Sequence, residues 1–191
     1  MPPERTAAFE RRTQQLLAYV AVAGAVGWLG TYAVEAHSTL SLATDIYLVV
    51  GGWTVLVGVG ALLARDTRLV RDAKAWRLWG VVSALALLVN AVANTPQLVP
   101  DPGLFRALQD YAYYHSWFLA YAVAYAGTAA LEPRSRLVGR RERGVYAAAS
   151  ALSACCLGAV LAVPVPDEHV VLAAALLTSV PAALAVAERR R

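Results

Sequence analysis

Six stretches of the chain carry no Asp, Glu, Lys or Arg: Leu16–Val34, Ile46–Ala64, Leu78–Val99, Tyr111–Leu131, Val145–Val163 and Val170–Ala187. Each is close to the ~20 residues that a helix rising ~1.5 Å per residue needs to cross a hydrocarbon layer ~30 Å thick. None alternates apolar and polar residues as a membrane strand does. None shows the clear one-sided apolar face with which a helix covers a soluble core. The pattern predicts an all-α fold, a polytopic integral membrane bundle of six transmembrane helices. They are placed at about 15–36, 43–64, 77–97, 108–131, 145–163 and 169–187, in one domain over residues 1–191.

Composition agrees with the pattern. Of 191 residues, 59% are hydrophobic and 16% charged, against about 25% charged in a soluble domain. The charges also sort by loop. Arg5, Arg11 and Arg12 precede the first span, Arg65 to Arg77 join the second to the third, Arg134 to Arg143 join the fourth to the fifth, and the chain ends in Glu-Arg-Arg-Arg. The three intervening loops, 35–45, 95–110 and 164–169, hold one Arg among them, Arg106. Lys and Arg are retained on the cytoplasmic side during insertion, so both termini are expected to be cytoplasmic, in a cell membrane. An even number of crossings requires the same. The first apolar run is long and lacks a small-residue cleavage site, which predicts a retained helix rather than a cleaved leader. The basic loops suit anionic lipid heads and give no reason to invoke nucleic acid.

Small residues mark expected packing faces, because lipid tails give helices no hydrophobic reason to associate and close approach matters instead. They are Ala21 with Ala25, and Gly24, Gly27 and Gly30, on the first span; Gly51, Gly52, Gly58 and Gly60 on the second; and Ser150, Ala154, Gly158 and Ala162 on the fifth. These faces would meet within the bundle, with a membrane partner or with a second copy. Pro181 should bend the sixth span, with Thr178 or Ser179 serving the freed backbone. Trp76, Trp79 and Tyr47 fall where interfacial anchors belong. A weak internal repeat aligns Asp45 and Trp53 with Asp110 and Trp117.

The polar residues of the spans gather on the side away from the basic loops. Asn90 and Asn94 share a face of the third span, and His115 lies about two turns into the fourth. In hydrocarbon such groups must find partners or cost several kcal/mol. They are expected to line an outward-facing polar and aromatic pocket, with Tyr111 and Tyr125 stacking and Asp45 or Glu35 at its mouth. The aromatic band of the fourth span is too wide to point inward altogether, so Tyr113 and one of its faces should meet lipid headgroups.

Several chemistries lack their residues. The single Lys, Lys74, lies in a basic loop, which removes a retinal Schiff base; only His115 could ligate an intramembrane haem; there is no G-x-S-G serine and no aspartate-rich phosphatidyltransferase element. Cys155 and Cys156 are adjacent, not C-x-x-C, and read as packing residues. No cofactor and no metal set is implied, since nothing brings His37, His115 and His169 together. In architecture, six helices with Ala21 and Ala25 on the first are similar to the substrate-binding components of energy-coupling-factor vitamin transporters. That resemblance implies a partner face on the first helix and an outward vitamin pocket. The leading expectation is binding or transport of a small solute. The alternative is a non-catalytic assembly subunit; the third is a membrane enzyme working at the outer face through His115.

Overall fold

The computed structural model describes residues 3–65, 74–93, 95, 99, 101–111, 114–131 and 138–189. Among them the only regular elements are seven helices: α1 (Pro3–His37), α2 (Leu42–Arg65), α3 (Lys74–Ala93), α4 (Pro102–Tyr111), α5 (Tyr114–Leu131), α6 (Arg140–Ala162) and α7 (Asp167–Arg189). Five are long and apolar enough to cross a membrane, namely α1 over Arg11–His37, most of α2, and α3, α6 and α7. The chain is thus a helical membrane bundle. The sixth expected span corresponds to α5, which opens on Tyr114, His115, Ser116 and Trp117 and falls outside these five.

Helix and apolar run do not share ends. α1 is 35 residues long, about 50 Å at ~1.5 Å per residue, and its first turns extend beyond what a span requires. The loop before the fourth span contains a helix of its own, α4. Asp101 caps it, its carboxylate accepting the Leu104 N–H at 2.8 Å, and Pro102 occupies the first helical position, where its missing N–H costs nothing. Ser41 starts α2 in the same manner, accepting the Thr44 N–H at 3.3 Å.

Side-chain contacts between helices give their relative directions. At one end, Gln14 of α1 donates to the Arg189 carbonyl of α7, and Arg189 pairs with Glu142 at the start of α6. Near that end Trp79 of α3 reaches Thr128 of α5. At the other end, Tyr114 of α5 donates to Glu35 of α1, and Asn90 of α3 to Ser116 of α5. The long helices therefore alternate in direction. Arg65, Lys74, Arg140 and Arg189 all fall at the first end, here termed the basic end.

The closest packing joins α1 to α7 and α5 to α6, then α3 to α5; α2 touches α3 only lightly. The helices form a ring, α2–α1–α7–α6–α5–α3, whose thinnest seam lies between α2 and α3. The α1–α7 contact follows from Gly24: a Cβ there would stand 2.6 Å from Thr178 Cβ. Gly27 similarly admits Trp53 of α2, whose ring would be 2.7 Å from an added Cβ. Gly30, Gly51, Gly52, Gly58 and Gly158 face open space instead, so their expected role as contact faces within the bundle does not hold. Val55 and Leu62 of α2 and Leu152 and Leu161 of α6 point outward, as a lipid-facing surface demands.

The aromatic band of α5 does point inward. Trp117, Phe118, Tyr121 and Tyr125 are all buried, although they span two faces, because α5 is enclosed by α3, α6 and α7. Tyr113 lies outside the described residues.

Candidate functional site

Three indoles are held by the same device. Trp28 donates to Thr178 at 3.2 Å, Trp53 to Thr31 at 3.0 Å and Trp79 to Thr128 at 3.0 Å. Each threonine hydroxyl in turn lies 2.7–2.9 Å from the carbonyl four residues back, those of Ala174, Gly27 and Ala124. A threonine in mid-span satisfies its own proton along the helix and leaves its lone pairs for a neighbour, and an indole N–H needs such an acceptor when buried. Trp28 also reaches the Tyr121 hydroxyl at 3.0 Å, which sits 2.8 Å from Thr178 Oγ1. Trp79 is accordingly half-buried and packed against the core, its ring 4.9 Å from that of Tyr125 and nearly perpendicular to it, rather than turned outward as the interfacial anchor its position predicts. Tyr47, strongly exposed at the far end of α2, does sit as an anchor would.

Pro181 leaves the Leu177 carbonyl without its helical N–H donor. The partner is neither Thr178 nor Ser179. Tyr125 of α5 donates to it at 2.6 Å, while Ser179 Oγ is buried without a partner. The helix break and the tyrosine that fills it come from different helices, so they lock α5 to α7.

These aromatic side chains surround a cavity of ≈ 230 Å³. Its walls include four indoles, Trp53, Trp76, Trp79 and Trp117, and four phenols, Tyr19, Tyr121, Tyr125 and Tyr146. At the basic end it reaches Glu142 and Arg189. Arg189 Nη2 lies 3.2 Å from both Glu142 oxygens. The carboxylate also accepts the Tyr146 hydroxyl at 3.1 Å and the Gly139 N–H at 3.3 Å. Both side chains are nearly buried, at 10% and 5% exposure. Each charge occupies the helix end whose dipole favours it, Glu142 in the first turn of α6 and Arg189 in the last turn of α7. The pair is neutral as a unit, and the carboxylate is saturated by its own neighbours.

Of the seven residues expected to form the pocket, five have described side chains, and these are not brought together. Only Tyr125 lines the cavity. Asn90 is buried and donates to the Ala86 carbonyl at 2.8 Å and to Ser116 at 2.9 Å, tying α3 to α5; it borders a separate void of only ≈ 20 Å³. His115 is half-buried at the start of α5. Glu35 accepts from Tyr114 at 3.0 Å and Asp45 from Ser38 at 2.6 Å, both as loop and helix-end contacts at the far end. Asn94 and the side chain of Tyr111 lie outside the described residues. Among the described residues no three of His, Cys, Asp and Glu gather in a metal-binding group.

Glu142 and Arg189 escaped the sequence reading because they sit in runs of charge that look solvated. One signal was available: Gly139 and Glu142 have the spacing by which a third-position glutamate returns to its own helix start. Thr31, Thr128 and Thr178 are the other signal, three mid-span hydroxyls that hydrocarbon obliges to find partners.

Fold and site together define a helical membrane protein with an aromatic-walled internal cavity. No family model, curated protein or solved structure matches the chain.

Proposed function

We propose that this is a six-span membrane protein that receives a small, uncharged, mainly apolar molecule in its aromatic cavity. Both termini are placed in the cytoplasm. The basic residues support that orientation, because they fall at one end of the bundle and such residues stay inside. The cavity then lies in the cytoplasmic half, between the level of Trp53 and that of Glu142, and not in the outer half where Asn90, Asn94 and His115 drew the expectation. The observation that carries the reading is the ≈ 230 Å³ space walled by eight aromatic rings. Ligand sites are concave and largely apolar, and those for drug-sized molecules begin near ~300 Å³, so the occupant is small. Its chemistry follows from the wall. Trp53 and Trp79 spend their N–H groups on threonines, Tyr19 and Tyr125 spend their hydroxyls on the Leu56 and Leu177 carbonyls, and Glu142 and Arg189 neutralise one another.

The test is thermal unfolding of the purified protein in bicelles against neutral ring compounds such as indole, naphthalene and naphthoquinone. A binder present at 100 times its Kd adds about 2.7 kcal/mol and raises the midpoint. Ala182→Leu and Ser83→Leu place new methyl groups on the cavity wall and should reduce that shift. If no compound moves the midpoint, or the shift survives both substitutions undiminished, the reading is wrong.

A further inference from the structure

Resting on that reading, we infer that the cavity is loaded sideways from the bilayer through the seam between α2 and α3, so that its ligand is a molecule dissolved in the membrane. On α2 the cavity-lining residues are Trp53, Leu56, Val57, Gly60 and Ala61; on α3 they are Ala75, Trp76, Trp79, Gly80 and Ser83. Both sets follow the three-and-four spacing of a single helix face, so the two faces look toward one space. Most of the wall is buried or half-buried, but Ala61 and Gly80 are exposed. At these two residues the lining reaches the outer surface of the bundle.

Small side chains make the opening. Nothing stands within 4 Å of a Cβ placed on Gly80, and only Tyr19 stands near one on Gly60, at 3.3 Å. α2 and α3 also make the lightest contact between neighbouring helices of the ring. Larger residues would close a seam that the backbones do not.

Depth decides what can enter. Gly80 is three residues from Arg77 and Ala61 four from Arg65, so the opening lies ~4–6 Å inside the last charged positions of the two helices, at ~1.5 Å per residue. Headgroups give way to acyl chains, and water thins out, at about that depth. A charged or strongly hydrated molecule would lose its hydration before reaching the seam, whereas a lipophilic one is concentrated there by its own partitioning. Most of the polar groups in the buried wall are already bonded, for the reasons given above, so apolar contact is the larger part of what it offers.

The experiment uses the full chain in phospholipid vesicles and 1-bromonaphthalene, a neutral two-ring compound whose bromine quenches indole emission on contact. The free aqueous concentration of the probe is held fixed, and the cholesterol content of the bilayer is varied so that the partition coefficient, and with it the mole fraction in lipid, changes. Saturable quenching is expected, at a rate that follows the mole fraction in lipid. Gly80→Phe and Ala61→Phe, one on each side of the seam, should slow it several-fold. Gly51→Phe, also facing open space but outside the cavity lining, should match the wild type. Thermal midpoints confirm that each variant is folded. A rate that follows the aqueous concentration, or is unchanged in both seam variants, overturns lateral entry while leaving the cavity reading intact. Absence of saturable quenching in every chain overturns both.

Discussion

Tyr125→Phe tests the tie between the broken helix and its neighbour. The substitution removes one oxygen and leaves the ring, which packs 4.9 Å from Trp79 and 5.9 Å from Tyr146. What is lost is the 2.6 Å bond to the Leu177 carbonyl. That carbonyl is buried and has no helical donor, since residue 181 is proline. An ordinary interhelical hydrogen bond in a membrane averages about 0.6 kcal/mol, because the unfolded reference also finds partners. Here the carbonyl would be left unsatisfied, which costs about 1–3 kcal/mol. We expect Tyr125→Phe to destabilise by about 1.5 kcal/mol. Pro181→Ala changes that expectation: it supplies an N–H to Leu177, so the same carbonyl stays satisfied when the tyrosine hydroxyl goes. In the Pro181→Ala background the cost should fall below about 0.5 kcal/mol, a coupling that a double-mutant cycle resolves. The assay is reversible unfolding in bicelles by denaturing detergent, for all four chains. Equal costs in the two backgrounds would refute the argument, since the hydroxyl would then matter for some reason other than the proline.

Glu142→Leu strands the Arg189 charge and should destabilise by about 3 kcal/mol, much of which returns in the Glu142→Leu/Arg189→Met pair, where no charge is left to bury; the same unfolding assay reads both. Gly24→Ala pushes a Cβ into Thr178 and should separate α1 from α7, visible as a lowered midpoint and as altered emission from Trp28, whose N–H rests on Thr178. Gly30→Ala, in open space, should change neither. Asn90→Leu removes two donated bonds between and along helices and should cost about 1 kcal/mol without affecting ligand-induced shifts, because Asn90 does not line the large cavity; lost binding with unchanged stability would reverse its assignment.

The membrane fold was legible because charge is excluded from hydrocarbon, and six uncharged runs with alternating basic loops leave little else. The site was less so. Polarity in a span says only that a partner exists, not whether it is a ligand or another helix. Asn90 could equally line a pocket or tie helices together by its sequence, and it bonds Ser116 of the neighbouring helix. Trp79 lies near a helix start, where the belt preference of indoles is strong, yet Thr128 on a helix distant in sequence draws it against the core. The Pro181 gap was foreseen, but its remedy was sought in the nearest hydroxyls, and the phenol that supplies it is 56 residues earlier in the chain. Trp53 and Trp117, which the weak repeat aligns, do meet in the core, their rings 5.3 Å apart.

The low hydropathy of α5 has a consequence for biogenesis. A segment with three tyrosines, a histidine and a tryptophan among its 18 residues partitions into lipid less readily by itself than the other spans, while translocation proceeds one segment at a time. Of the helices that enclose it, only α3 has emerged before α5 does; α6 and α7 are still to be made. α5 should therefore enter the bilayer late and on credit from its successors. A chain ending near residue 137 is expected to leave α5 incompletely inserted, which glycosylation-site mapping in a cell-free membrane system would show. The cavity wall, to which α7 adds Thr178, Ala182 and Arg189, would then be complete only when the last helix has been synthesised and Thr178 has met Trp28.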